Sequence, residues 1–174
     1  MNVLIIFETG AGQTAKIAQA VATQARQIGH VVTVHDLSDT AADLPISGAD
    51  RIILAAPVHE RRHPKAFEAM LATRGKEISA RPSLMLSVSL KAAFVDGLEE
   101  ARDYLIEMEM RTGFKPTQEA LVAGALRPSS YDYYQSQIVR HVALEGQDVE
   151  LQEGATEFTD WDALHQTVAL FLAS

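Results

Sequence analysis

Glu8-Thr9-Gly10-Ala11-Gly12-Gln13-Thr14 has the makings of an anion seat. Two glycines let the backbone curl close to a charged group, and the Thr9 and Thr14 hydroxyls can donate to its oxygens. Placed between a strand and a helix, the loop also offers unpaired backbone N–H groups and the positive end of the helix dipole. A phosphate ester suits such a loop. The plainer reading is an ordinary strand-to-helix turn with Thr14 as a cap. Two phosphate-bearing cofactors compete for it. Gly10 to Ala15 fits the dinucleotide pattern G-x-G-x-x-A, with Asp36 where a ribose-binding acid would stand. Flavin mononucleotide (FMN) asks instead for hydroxyls in the loop, which Thr9 and Thr14 supply.

A second group is His59-Glu60-Arg61-Arg62-His63. It matches H-E-x-x-H, which binds zinc only on a helix, where both imidazoles share a face. Pro57 and Pro64 flank it, and a residue before proline is pushed away from helical geometry. The match is therefore read as chance, and no metal site is expected. Arg61, Arg62 and His63 have a better use as an anion grip, since guanidinium binds carboxylates bidentately. Solvated surface charge is the alternative. Tyr131, Tyr133 and Tyr134 can stack on a flat ligand or merely pin their segment to the body. Trp161 is expected in the core. His30, His35, His141 and His165 have no ligand-like spacing. No side chain can be named as a catalytic acid or base; His59 and His63 are the nearest candidates.

The elements that must position these groups alternate. Val3 to Phe7 is an unbroken apolar run, as in a strand buried on both faces. Ile17, Val21 and Ile28, with Ala20 and Ala25, give a helix an apolar face that Gly29 ends. Val31–Val34, Ile52–Ala56, Leu84–Val88 and a strand starting at Leu121 follow. Pro64 to Leu71 reads as a short helix with proline in its first turn. Asp96 and Glu99 suggest a capping box for a helix burying Leu98, Ala101, Leu105 and Met108. Thr159 and Asp162 bracket the start of a last helix burying Leu164, Val168, Phe171 and Leu172. Residues 36–50, with Pro45 and Gly48, read as a loop or single turn. The rhythm β-α-β-β-α-β-α-β-α predicts an α/β domain with a parallel sheet covered on both faces. The long segment from Arg127 to Glu157 breaks it and reads as a functional insertion.

The chain has 174 residues, enough for one domain, 1–174, with a real core. Its formal net charge of -8 disfavours nucleic acid and anionic membranes as partners. It has no cysteine, which removes disulfides and thiolate chemistry and fits a reducing cytoplasm. No leader peptide or bilayer-spanning run is visible, so a soluble protein is expected.

Gly12-Gln13-Thr14, the strand end Ser87-Val88-Ser89-Leu90, Ala123-Gly124-Ala125-Leu126-Arg127 and Phe158-Thr159-Asp160-Trp161 together resemble the flavodoxin family, and within it the branch that oxidises protoporphyrinogen IX. The resemblance runs over nearly the whole chain. It implies a flavodoxin-like three-layer sandwich with a five-stranded parallel sheet in order 2-1-3-4-5. It implies FMN at the carboxyl ends of the strands: Thr9, Gly10, Ala11, Gly12, Gln13 and Thr14 around the phosphate, Pro57, Val58, His59 and Glu60 along the flavin ring, and Ser87, Val88, Ser89 and Leu90 at its pyrimidine edge. Arg61, Arg62, His63, Arg127 and Tyr131 would face the substrate, a porphyrinogen, with a quinone or redox protein as electron acceptor. A homo-oligomer is compatible with this. The insertion, about 127–157, would interrupt strand five near the flavin. An electron carrier, or a domain that has lost its flavin and serves as an interaction module, are the alternatives. Three features depart from the family's pattern. Glu8 stands where Ser or Thr is usual and would repel a phosphate. Arg61 stands where a glycine is common and would resist φ > 0. Residues 128–158 carry six acids against Arg140, net -5, where a basic insertion is common.

Overall fold

A computed structural model describes residues 1–39, 43–126 and 156–174. β1 (Asn2–Phe7), β2 (Val31–Asp36), β3 (Arg51–Pro57), β4 (Ser83–Ser89) and β5 (Gln118–Ala123) form one parallel sheet in order β2-β1-β3-β4-β5. The predicted fold and strand order are those observed. β1, β3 and β4 lie inside the sheet, and their apolar runs are buried on both faces. β2 and β5 are edges and are only partly buried.

Alternation along each strand divides the core in two. Val3, Ile5, Phe7, Ile53, Ala55, Leu84 and Leu86 pack against α1 (Gln13–Gln27) and α4 (Trp161–Ala173). Leu4, Ile6, Ile52, Leu54, Ala56 and Met85 pack against α2 (Lys65–Ile78) and α3 (Leu98–Thr112). Each fully buried Ile or Leu contributes roughly 1.5–3 kcal/mol relative to exposure. That outweighs the weak local signals discussed next.

Several element ends differ from the sequence reading. α2 starts after Pro64, which is its N-cap, and runs to Ile78, well beyond Leu71. It passes through Gly75, because Phe114 packs there; a Cβ on Gly75 would stand 3.1 Å from the Phe114 Cβ. The Asp96–Glu99 capping box does not form. A 3₁₀ turn, Val95–Gly97, precedes α3, and no side chain caps that helix. The turn leaves Leu98 exposed and brings Tyr104 into the buried face with Ala101, Leu105 and Met108. Ile28 is exposed, because it is the C-cap of α1 and Gly29, at φ 98, already turns the chain away. The last helix does start between Thr159 and Asp162, as expected; its cap is Asp160, whose carboxylate accepts the Ala163 N–H at 3.0 Å. β5 begins at Gln118, before Leu121. Among the described residues between β2 and β3 the chain forms a single 3₁₀ turn, Ile46–Gly48, as the loop reading expects.

β6 (Ala125–Leu126) and β7 (Thr156–Glu157) pair antiparallel and bring the two ends of the insertion together. Arg127, Tyr131, Tyr133, Tyr134 and His141 lie outside the described residues. Among the described residues no helix is long and apolar enough to cross a membrane.

Candidate functional site

β1 has β2 on one side and β3 on the other, so the connection from its end leaves at the point where strand order reverses. Crevices at such points, outside the carboxyl ends of the strands, are where open α/β sheets bind ligands. A cavity of about 560 Å³ lies there. Its walls come from the loop after β1, the loop after β3, the end of β4 and the segment between β5 and β6.

The loop after β1 has the form an anion seat requires. Gly12 is the N-cap of α1 at φ 104, ψ -14, a conformation strained for any side chain. The Gly12 N–H donates to the Thr9 hydroxyl oxygen at 3.1 Å and tightens the turn. No side chain caps α1, and its first turn holds no acid. The dipole end therefore faces the cavity without a built-in countercharge. A Cβ on Gly10 would meet open space. Thr9, Gly10, Ala11, Gln13 and Thr14 line the cavity, while Gly12 shapes the loop from behind. The Gln13 amide group is turned away from the cavity, donating to Glu157 and Thr159 at 3.0 Å each. Only its backbone is placed to serve an anion.

Glu8 lines the cavity beside the phosphate loop. Burial raises its pKa, the Phe67 N–H in the first turn of α2 acts against this, and Asp36 adds to the rise. Its Oε2 is buried without a hydrogen-bond partner. The Phe67 amide of α2 is thus the backbone group that favours its charged form against burial. The residues fit a phosphate-bearing group.

The loop after β3 is a tight hairpin, not a helix. The His59 N–H donates to the Arg62 carbonyl at 2.8 Å and the Arg62 N–H to the His59 carbonyl at 3.1 Å. Its two central residues, Glu60 and Arg61, both have positive φ, 50° and 66°. This corrects the expectation that Arg61 would resist φ > 0. The turn is of the primed type that normally selects glycine or asparagine, and it stores about 1–2 kcal/mol per residue. Such strain persists only where surrounding contacts hold it. Here Arg61 donates to Glu100 at 2.6 Å and stacks over Tyr104 at 5.4 Å, and Arg62 pairs with Glu68 at 3.2 Å. The hairpin also keeps His59 and His63 off any common helical face. Among the described residues no group of three His, Cys, Asp or Glu is placed to hold a metal.

Pro57, Val58, His59 and Glu60 line the cavity, as do Arg61, Arg62 and His63. Both guanidiniums are paired yet half-exposed, 55% for Arg61 and 52% for Arg62. His63 is only 2% exposed. Its Nε2 lies 2.8 Å from the Ser87 hydroxyl, and its Nδ1 is buried without a partner. Burial lowers its pKa to about 4; Glu68 opposes this and Arg111 reinforces it. It is a neutral imidazole at neutral pH. Val88, Ser89 and Leu90 line the cavity, whereas Ser87 sits behind the wall, held by His63.

Several wall residues were not named as site residues from the sequence: Pro64, Lys65, Gly124, Ala125 and, most consequentially, Lys91 and Tyr104. The Lys91 ammonium lies 3.1 Å from Glu100, and the Tyr104 hydroxyl donates to the same carboxylate at 2.7 Å. Burial raises the Glu100 pKa, but the bonds from Tyr104 and Lys91 outweigh it and hold the carboxyl below its ordinary value. Only a lysine after the Ser87–Leu90 strand end hinted at this. Tyr104 carried no signal, being one more position on a helix.

Comparison with known proteins agrees with this geometry. A model of the flavodoxin domain matches residues 4–151. Protoporphyrinogen IX dehydrogenase [quinone] of Escherichia coli strain K12 is 25% identical over 167 residues, covering 93% of this chain and 90% of that protein. The fold is similar to that of flavodoxin 1 from Bacillus cereus, with TM-score 0.53 and 19% identity over 82% of this chain and 99% of that one. It is similar also to a Fusobacterium nucleatum flavodoxin bound to flavin mononucleotide, with TM-score 0.53 and 10% identity over 99% and 95% of the two chains. In matched sequence, strand order and the form of its first loop alike, this chain belongs to the flavodoxin domain family.

Proposed function

We propose that the protein is an FMN-dependent oxidoreductase that oxidises protoporphyrinogen IX to protoporphyrin IX. The observation that carries the reading is one continuous cavity, with an uncapped helix N-terminus at one end and half-exposed guanidiniums at its mouth. The full-length similarity to the E. coli dehydrogenase supports it. A volume of about 560 Å³ is in the ordinary range for a cofactor site. FMN, when bound, would supply the redox chemistry as a hydride acceptor.

The chain's own part is to bind, orient and exclude water. Thr9, Gly10, Ala11, Thr14 and the backbone of Gln13 hold the phosphate, on a loop that Gly12 shapes. Pro57 to Glu60 and Val88 to Leu90, adjoining segments at the ends of β3 and β4, line the site for the ring. Arg61 and Arg62 present donors to the propionates of a porphyrinogen. A quinone is the acceptor this reading suggests, by likeness to the relative. A plain electron carrier is the second reading. It is favoured by the similarity to flavodoxins and by the net charge of -8, which suits a basic redox partner.

Titrating FMN into flavin-free protein and following the quenching of flavin fluorescence tests the cofactor. An assay with protoporphyrinogen IX then separates enzyme from carrier. The expected result is saturable quenching and turnover; quenching without turnover leaves the carrier. Replacing Arg61 and Arg62 together by Ala is expected to raise KM for the dicarboxylate substrate by about tenfold, one lost charge-assisted contact's worth. An unchanged KM removes those residues from substrate binding.

A further inference from the structure

The cationic wall opposite the phosphate loop has a charge imbalance that substrate recognition does not use. The cavity is lined by Arg61, Arg62, Lys65 and Lys91 against Glu8 and Glu60. Lys91 stands apart from the others because its side chain is only 10% exposed. It is also held firmly. Residues 91–93 form a 3₁₀ turn, tied by the Ala93 N–H to the Leu90 carbonyl at 3.0 Å and by the Ala92 N–H to the Ser89 hydroxyl at 3.2 Å. Gly97 closes on this turn so tightly that a Cβ there would lie 2.4 Å from the Lys91 carbonyl oxygen.

One carboxylate serves two cations here. Glu100 accepts from Arg61 at 2.6 Å and pairs with Lys91 at 3.1 Å. Among the described residues the cluster therefore keeps one positive charge in excess. We propose that Lys91 biases the bound cofactor toward its reduced form, by presenting to the cavity a positive charge that Glu100 leaves uncompensated. The inference rests on the FMN reading above. Its logic is electrostatic. Hydride transfer delivers two electrons and one proton to the flavin ring, so the ring gains one negative charge; the substrate's remaining proton leaves to solvent. A cation in the wall of a partly open cavity stabilises the charged, reduced ring more than the neutral, oxidised one. Its interaction with the phosphate is the same in both states and cancels. The signature is thus the ratio of the two dissociation constants, not affinity as such.

The test measures Kd for oxidised and for dithionite-reduced FMN, anaerobically at pH 8, on wild-type protein, Lys91→Met, Lys91→Arg and Glu100→Gln. Lys91→Met is expected to raise the reduced-to-oxidised Kd ratio by about tenfold, equivalent to about 30 mV for a two-electron couple. Lys91→Arg is expected to keep the wild-type ratio. Glu100→Gln retains a partner for the Tyr104 hydroxyl but removes the countercharge, and should lower the ratio. A purely structural role would weaken both forms alike, or move both charge variants the same way. Either result, or an unchanged ratio in Lys91→Met, overturns the inference while wild-type binding keeps the FMN reading intact. Failure of the wild-type protein to bind FMN at all overturns both.

Discussion

Gly12 and Glu60 carry opposite messages about backbone strain. Gly12 sits at φ 104, where a side chain is costly, and its amide closes the phosphate loop. Gly12→Ala is expected to lower stability by about 1–2 kcal/mol and FMN affinity by at least about tenfold, as the loop opens. Urea melts and fluorescence titration read the two effects separately. Glu60 also has positive φ but is exposed, with a side chain that resists it. Glu60→Gly should raise stability by about 0.5–1 kcal/mol, seen as a higher urea midpoint at unchanged slope. A destabilised variant would mean the Glu60 side chain makes a contact that outweighs the relieved strain. Both glycines of the first loop were legible in the sequence. The positive φ of Glu60 and Arg61 was not, because the hairpin is held by partners on other elements, Glu100 on α3 for Arg61 and Glu68 on α2 for Arg62.

Helix ends are set by small energies, and so they are where sequence patterns and structure part. Asp96 and Glu99 have capping-box spacing, yet the chain forms a 3₁₀ turn there and closes Gly97 onto Lys91. A cap contributes about 1 kcal/mol, which tertiary packing readily overrides. At α4 the cap does form, on Asp160. Asp160→Ala is expected to cost about 1 kcal/mol, measured by urea denaturation; no loss would show that packing of Leu164, Val168, Phe171 and Leu172 alone fixes that end. The strands and the apolar faces of α1, α3 and α4 were readable because burying Ile17, Leu105 or Phe171 outweighs any capping term. α2 was read too short, since no local rule shows that Phe114 needs Gly75 beneath it.

Across the whole molecule, two groups tie stability to pH in opposite senses. Burial lowers His63 to about 4, below its ordinary 6.5. Between those values the unfolded chain binds a proton that the folded chain refuses, so stability falls as pH drops from 6.5 toward 4. Glu109 behaves the other way. Burial and the neighbouring Glu119 raise it to about 7 from 4.5, so its contribution is lost as pH rises through that window. His63→Gln should flatten the acid limb of a stability profile measured by urea melts at stepped pH. Glu109→Gln should raise Tm at pH 8 by roughly 2–4 °C and leave it unchanged at pH 4. A pH-independent shift in either variant would assign the effect to packing instead. The sequence by itself determined the β/α rhythm, the buried strands and the phosphate loop, because each rests on residues adjacent in the chain or spaced by one helical or strand period. Only the tertiary structure decided that the hairpin after β3 is strained and pinned, and that Lys91, Arg61 and Tyr104 converge on Glu100. Those contacts join different elements, and sequence periodicity holds no information on which side chains meet across a crevice.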